Sequence, residues 1–331
     1  MIVRQIRKTD LDGLHSLAKK AGTGLTTLQD DKKLLKKRLD HTIYSFEKTV
    51  DSPAGESYLF VMEDDNNKVV GICGILSKVG GFEPFYTYVM TTETHKSKDL
   101  GVESHVEILK LEKKYDGQTE IGTLYALPSA RGNGKLLSYS RFLYMAEYLD
   151  RFEDETIAEL RGVVTTRGHS PFYEYCMKHF FKIDYMTADY MSMKNKKFIE
   201  DLIPNHPIYV DLLPAHVRDV FGKVHKNTEP AKGMLEKQNF SFNGEIDIFE
   251  AGPTYSCSTK EIASIENSIG GEFSCSYIEA TGKAIIATYD PFRCCVGNAY
   301  CRNGETSLCV DRHSIVKLGL TTGDRIRILF L

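Results

Sequence analysis

From Glu120 to Phe152 the chain reads strand, glycine turn, helix, and this unit constrains the fold more than any other stretch. EIGTLYALP, Glu120 to Pro128, has a strand pattern. RGNG then breaks it, and LLSYSRFLYMAEYLDRF follows with helical periodicity. A turn in this position leaves free backbone N–H groups at a helix start, where the helix dipole favours an anion. Taken alone, Arg131, Gly132, Asn133 and Gly134 are either a pyrophosphate cradle or simply a turn.

The flanking segments continue the pattern. Ile2 to Ile6 alternates as a strand, and Asp10 is placed to cap a helix carrying Leu11, Leu14, Leu17 and Ala18. Lys32 to Thr49 reads as a helix with Leu34, Leu35, Leu39 and Ile43 on one side. SYLFVMEDDNNKVVGICGILSKV reads as a hairpin turning at Asp64 to Asn67. Ile157 to Val164 is a strand, Ser170 to Phe181 is an amphipathic helix with proline in its first turn, and EPAKGMLEKQNFSFNGEIDIF is a further helix-to-strand unit. After Gly252 and Pro253, short β-rich runs end in GDRIRILFL, whose alternation suggests a closing barrel strand. The expected organisation is mixed α/β (α+β), with a first region at residues 1–252 and a small β-rich domain at 253–331.

With 331 residues, 42% of them hydrophobic and 26% charged, the chain can bury two cores. The net charge of -3 supplies no basic stripe, which argues against a nucleic-acid partner. The first charge falls at Arg4 and the longest apolar runs, such as Val69 to Leu76, are far short of the ~20 residues a bilayer requires, so no membrane association and a cytoplasmic location are expected. Eight cysteines without a leader pattern are read as reduced thiols. No C-x-x-C pair occurs, and adjacent Cys294 and Cys295 would face opposite sides of a strand, so buried inert thiols are favoured over a metal site.

Nine blocks in a fixed order then carry a resemblance: GICGI at Gly71, LLSYSRFLYMA after the turn, LRGVV at Leu160, HSPFYEY at His169, ADYMS at Ala188, HPIY at His206, KVH at Lys223, LEKQNF at Leu235 and IDIFEAGPT at Ile246. Together they resemble the arginine N-succinyltransferase family across nearly the whole chain. The resemblance implies an acyl-CoA N-acyltransferase (GNAT-type) fold followed by a barrel-like extension. It also implies transfer of succinyl from succinyl-CoA, a co-substrate, to the α-amino group of L-arginine, with no permanently bound cofactor.

The same resemblance implies site residues. The family's acid/base histidine lies in a V-H-x-x-T-x-P-A block, matched here by Val224, His225, Thr228, Pro230 and Ala231. The alternative for His225 is a capping or surface role. Leu124 is implied in succinyl-CoA contact, its backbone serving the ligand and its side chain the core. Such folds usually carry R-x-x-G-x-G or R-x-x-G-x-A. Here either the loop is about two residues shorter, or Arg131 to Gly134 is the R-x-x-G and Leu136 takes the last position. Two substrate carboxylates call for a guanidinium, and Arg141 and Arg161 are the candidates. The acceptor's guanidinium needs acidic or aromatic partners that the sequence does not single out. An ornithine or other amine acyltransferase is one alternative, and a noncatalytic subunit pairing with a homologous chain is another. A homo-oligomer is also open.

Overall fold

The computed structural model describes residues 1–22, 25–165, 168–275, 282–301 and 307–331. Its strands are β1 (Ile2–Gln5), β2 (Ser57–Glu63), β3 (Val69–Leu76), β4 (Phe85–Ser97), β5 (Val102–Lys114), β6 (Thr119–Ala126), β7 (Glu155–Glu159) and β8 (Ile208–Tyr209). β9 (Ser241–Asp247), β10 (Pro253–Ser258), β11 (Ile269–Cys275), β12 (Gly282–Tyr289), β13 (Phe292–Cys301), β14 (Ser307–Val310) and β15 (Arg325–Phe330) complete the set. The helices that matter below are α1 (Leu11–Ala21), α2 (Lys32–Glu47), α3 (Gly134–Glu147) and α4 (Glu229–Glu236).

All these strands join one sheet in the order β12-β15-β11-β14-β13-β1-β2-β3-β6-β7-β10-β9-β4-β5-β8. β12 also pairs antiparallel with β13, from Gly282↔Ala299 to Tyr289↔Phe292, which closes the five C-terminal strands into a small barrel. Pro253–Ser258 pairs with β7 and β9 in the larger sheet, so the barrel strands begin at Ile269. Cys294 and Cys295 are both fully buried on opposite faces of β13, one in the main core and one inside the barrel, as strand alternation requires. Cys309 is disulfide-bonded, which corrects the expectation of reduced thiols at that position.

Helix α3 is buried at every residue from Leu136 to Met145 and packs on β3, β12 and β13. A helix buried on every side belongs in an interior, and here it lies between the acyltransferase sheet and the barrel, with the polar Ser138, Ser140 and Arg141 enclosed along with its apolar residues. Asp10 does occupy the position before α1, yet its carboxylate does not cap that helix. It accepts from Arg4 at 2.7 and 2.8 Å and from the Arg7 N–H at 2.7 Å. Buried Arg4 also bonds Glu63, so the charge at 3% exposure is met by two carboxylates.

β7 is shorter than the expected Ile157 to Val164 strand, because the chain leaves the ladder to cross another backbone. A Cβ on Gly162 would lie 2.4 Å from the Glu250 carbonyl oxygen, and one on Gly252 would lie 2.2 Å from that of Leu160. Only glycine permits this crossing. The expected helix from Ser170 to Phe181 forms, with a π turn at Tyr173–Met177 inside it. No helix among the described residues is long and apolar enough to cross a membrane.

Candidate active site

β6 and β7 run parallel but pair only at Thr119↔Thr156 and Glu120↔Ile157. Beyond these rungs the strands part, and a cavity of about 270 Å³ opens between them, bordered by Gly122, Thr123, Leu124 and Tyr125 on one side and Ala158 to Arg161 on the other. β6 is bulged at this point. Its pairing with β3 shifts between Gly74↔Gly122 and Ile72↔Tyr125, so Thr123 and Leu124 together oppose Cys73.

Thr123 sits at φ 53, a left-handed conformation that a β-branched residue avoids. Side chains hold it there. Its hydroxyl donates to Thr27 Oγ1 at 2.9 Å and accepts from Arg38 Nη2 at 2.8 Å. Burial brings the Arg38 guanidinium down to about 10, against the opposing pull of Glu120. A strained bulge fixed by a guanidinium at the mouth of a cleft turns backbone polar groups out of the ladder, and strain of this kind clusters at functional sites.

The sequence candidates fall into two groups. Leu124, Arg141 and Arg161 border the same cavity, together with Asn227 and Thr228. Arg131, Gly132, Asn133 and Gly134 do not border it. They form the entry to α3, whose Ser138 and Arg141 do. Asn133 is the residue before the helix, and no side chain caps the helix start. Gly132 has φ 89, and a Cβ on Gly134 would meet nothing nearer than Met234 Sδ of α4 at 3.9 Å. The helix end is therefore open to an anion. Leu136 in the first helical turn is buried and borders none of the cavities described here.

Arg141 is 2% exposed and donates to the Ser138 carbonyl at 3.0 Å, Ser138 Oγ at 2.9 Å and the Gly122 carbonyl at 3.4 Å. No carboxylate pairs with it among the described residues, and burial lowers its pKa. Arg161 is different. Its Nε lies 3.6 Å from Glu250 Oε1 without making a hydrogen bond. Glu250 also accepts from the Gly162 N–H at 2.8 Å and from the Tyr185 hydroxyl, and burial followed by Asp247 raises it to about 7.

His225 is tied to this edge through backbone. Its N–H donates to the Arg161 carbonyl at 2.8 Å beside a bridge between Gly162 and Val224. Its Nδ1 accepts from the Asn227 N–H at 3.1 Å, so the ring caps the turn leading into α4. A neutral ring with Nδ1 so occupied carries its proton on Nε2. Burial and then Arg161 lower its pKa below the ordinary 6.5.

Sequence reasoning missed the acidic side of the site. A cavity of about 140 Å³ shares Gly122, Thr123, Glu159, Leu160 and Arg161 with the first, and adds Glu120, Tyr185, Asp189, Asp247, Phe249 and Glu250. A third, of about 410 Å³, continues from Glu120, Glu159, Asp247 and Phe249 towards Phe85, Tyr86 and Lys196. Burial raises the pKa of Glu120, Glu159 and Asp247, and it raises Asp189 to about 6.

The family model described as arginine N-succinyltransferase beta subunit matches residues 1–264. The chain belongs to this family. It is 40% identical to an arginine N-succinyltransferase of Enterobacter sp. (strain 638) over 272 residues, covering 81% of this chain and 79% of the relative. The Escherichia fergusonii enzyme of the same name is 39% identical over the same shares. The structure of the arginine/ornithine succinyltransferase subunit AI from Pseudomonas aeruginosa superposes with a TM-score of 0.90 at 27% identity, over 99% of this chain and 98% of that one. That match includes the barrel, which lies beyond the stretch the family model covers. The expected GNAT-type acyltransferase fold, mixed α/β and followed by a small barrel, is thus present in this member of the arginine N-succinyltransferase family.

Proposed function

We propose that this protein transfers succinyl from succinyl-CoA to the α-amino group of L-arginine, the first step of arginine breakdown by the succinyl pathway, in the cytoplasm. The bulge at Thr123 and Leu124, set where β6 and β7 part, carries this reading, because it offers backbone groups to a thioester inside a cleft. The relatives' printed name, arginine N-succinyltransferase, supplies the succinyl group and the acceptor.

The pantetheine arm runs along Leu124, and the pyrophosphate meets the open start of α3 at Arg131, Gly132, Asn133 and Gly134. Arg141, a buried cation with no carboxylate partner among the described residues, pairs with the succinyl carboxylate, and Arg161 with the acceptor's carboxylate. The acceptor ammonium gives up one proton before attack. The C–N bond then forms, the C–S bond breaks, and the second amine proton leaves as the thiolate takes one up. His225 is the proton-transfer residue. For Nε2 to accept a proton the ring must hold its other proton on Nδ1, so the cap on Asn227 opens during turnover. Nothing is bound permanently, and succinyl-CoA is a co-substrate. Association with a second copy or a homologous chain is compatible with this chemistry.

The test is release of CoA thiol from succinyl-CoA. Release should require arginine or ornithine, and acetyl-CoA should be slower as a donor. Faster turnover with acetyl-CoA would overturn the donor assignment.

A further inference from the structure

Glu120 and Glu159 stand on neighbouring strands, and both border the cavities that lead away from the bulge. Among the described residues neither accepts a hydrogen bond and neither forms an ion pair. Asp247, on β9, closes the same space, with its Oδ1 bound by the Phe249 and Glu250 N–H groups at 2.9 and 2.6 Å. Three carboxylates thus border the cavity of about 410 Å³ with two lysines, of which Lys78 is already paired with Asp116 at 2.6 Å and Glu153 at 2.8 Å, which leaves Lys196 facing them. Folding has half-buried two carboxylates without giving them a partner among the described residues, a cost that an incoming cation removes.

Resting on the reading above, we infer that Glu120, Glu159 and Asp247 form the pocket for the guanidinium of the amine acceptor and so select arginine among α-amino acids. Distance fits first. Glu120 lies three residues before the bulge, roughly 10 Å along a strand, so the acceptor must be a long side chain with its charge at the far end. Shape fits next. A guanidinium is a planar fork of five donors that can bridge two carboxylates, whereas an ammonium is a compact point charge. Phe249 borders both acidic cavities and offers an aromatic face on which such a plane stacks. Charge has an ordered direction as well. Arg141 borders the donor cleft alone, Arg161 and Glu159 border both the cleft and the smaller acidic cavity, and Glu120 and Asp247 border only the acidic cavities, so a zwitterionic acceptor is oriented with its α-amine towards the thioester.

Glu120→Gln decides the matter, because Glu120 borders the acidic cavities and not the donor cleft. The variant should raise the KM for arginine about tenfold or more and leave the KM for succinyl-CoA within about twofold. It should also narrow the preference for arginine over L-citrulline, whose side chain is neutral and similar in shape. An unchanged arginine-to-citrulline ratio in Glu120→Gln and in Glu159→Gln would overturn the pocket. If the wild type released no CoA with arginine, the parent reading would fail. Calorimetric titration of arginine into wild type and Glu120→Gln would then still judge the pocket, supporting it by tenfold weaker binding in the variant and refuting it by equal binding.

Discussion

Removing the His225 ring takes away two things at once: the cap on the Asn227 N–H and any proton transfer at Nε2. Two substitutions separate them. His225→Ala loses both, and should lose about 1 kcal/mol of stability with the cap and roughly 10²- to 10⁴-fold in kcat with the proton transfer. His225→Asn keeps a capping oxygen, so thermal unfolding should return close to wild type while kcat stays low. Wild-type turnover in His225→Asn would reduce the residue to a cap. The pH profile supplies a further check. Because burial and Arg161 lower the His225 pKa, the neutral base is already present at more acidic pH than for a free imidazole. The rate should therefore rise with pH and level off before about pH 7. A rise centred well above that value would assign the titration to another group.

At the scale of elements, the glycine turn before α3 is open on the outside and tolerant on the inside. The Gly134 Cβ position is unobstructed and the residue is helical, so Gly134→Val leaves room for the fold. What it blocks is the approach of a phosphate to the helix start. The expected outcome is a rise of roughly tenfold in the KM for succinyl-CoA, a smaller change for arginine, and a melting temperature near that of wild type. Unchanged calorimetric affinity for succinyl-CoA would make this turn structural only. The turn, α3 and the hairpin of β2 and β3 were legible in the sequence because glycine, Asp-Asn turns and helical periodicity act locally. The long hairpin of β4 and β5 was not. Beyond Thr91 both of its faces are largely exposed, so no apolar alternation marks it. The left-handed Thr123 was equally hidden, since threonine favours extended strands and the strain is imposed by Arg38 and Thr27 from elsewhere in the chain. Glu120, Glu159 and Asp247 are ordinary acidic residues until the topology brings three strands around one cavity.

For the whole molecule, the question is whether the barrel and the acyltransferase sheet fold separately. The sequence changes character after Gly252, which by itself predicts a domain boundary there. Packing ties the two sides together. β1 pairs with β2 on one edge and with β13 on the other, at Val3↔Cys294 and Arg4↔Arg293. Phe292, fully buried at the start of β13, lies 5.1 Å from the Phe60 ring and 5.5 Å from that of Tyr144. The hydroxyl of Tyr289 donates to the Leu143 carbonyl of α3 at 3.0 Å. A barrel that shares its strand edge and its aromatic cluster with the sheet has no separate surface to fall back on. We therefore expect one cooperative thermal transition, with calorimetric and van't Hoff enthalpies in agreement. Phe292→Ala should cost about 3–5 kcal/mol. In hydrogen exchange it should weaken the amides of β3 and β15 together, because losing the ring opens a cavity that belongs to both sides. Protection lost in β15 alone, or a second calorimetric peak, would show that the barrel opens independently and that the boundary is a thermodynamic one.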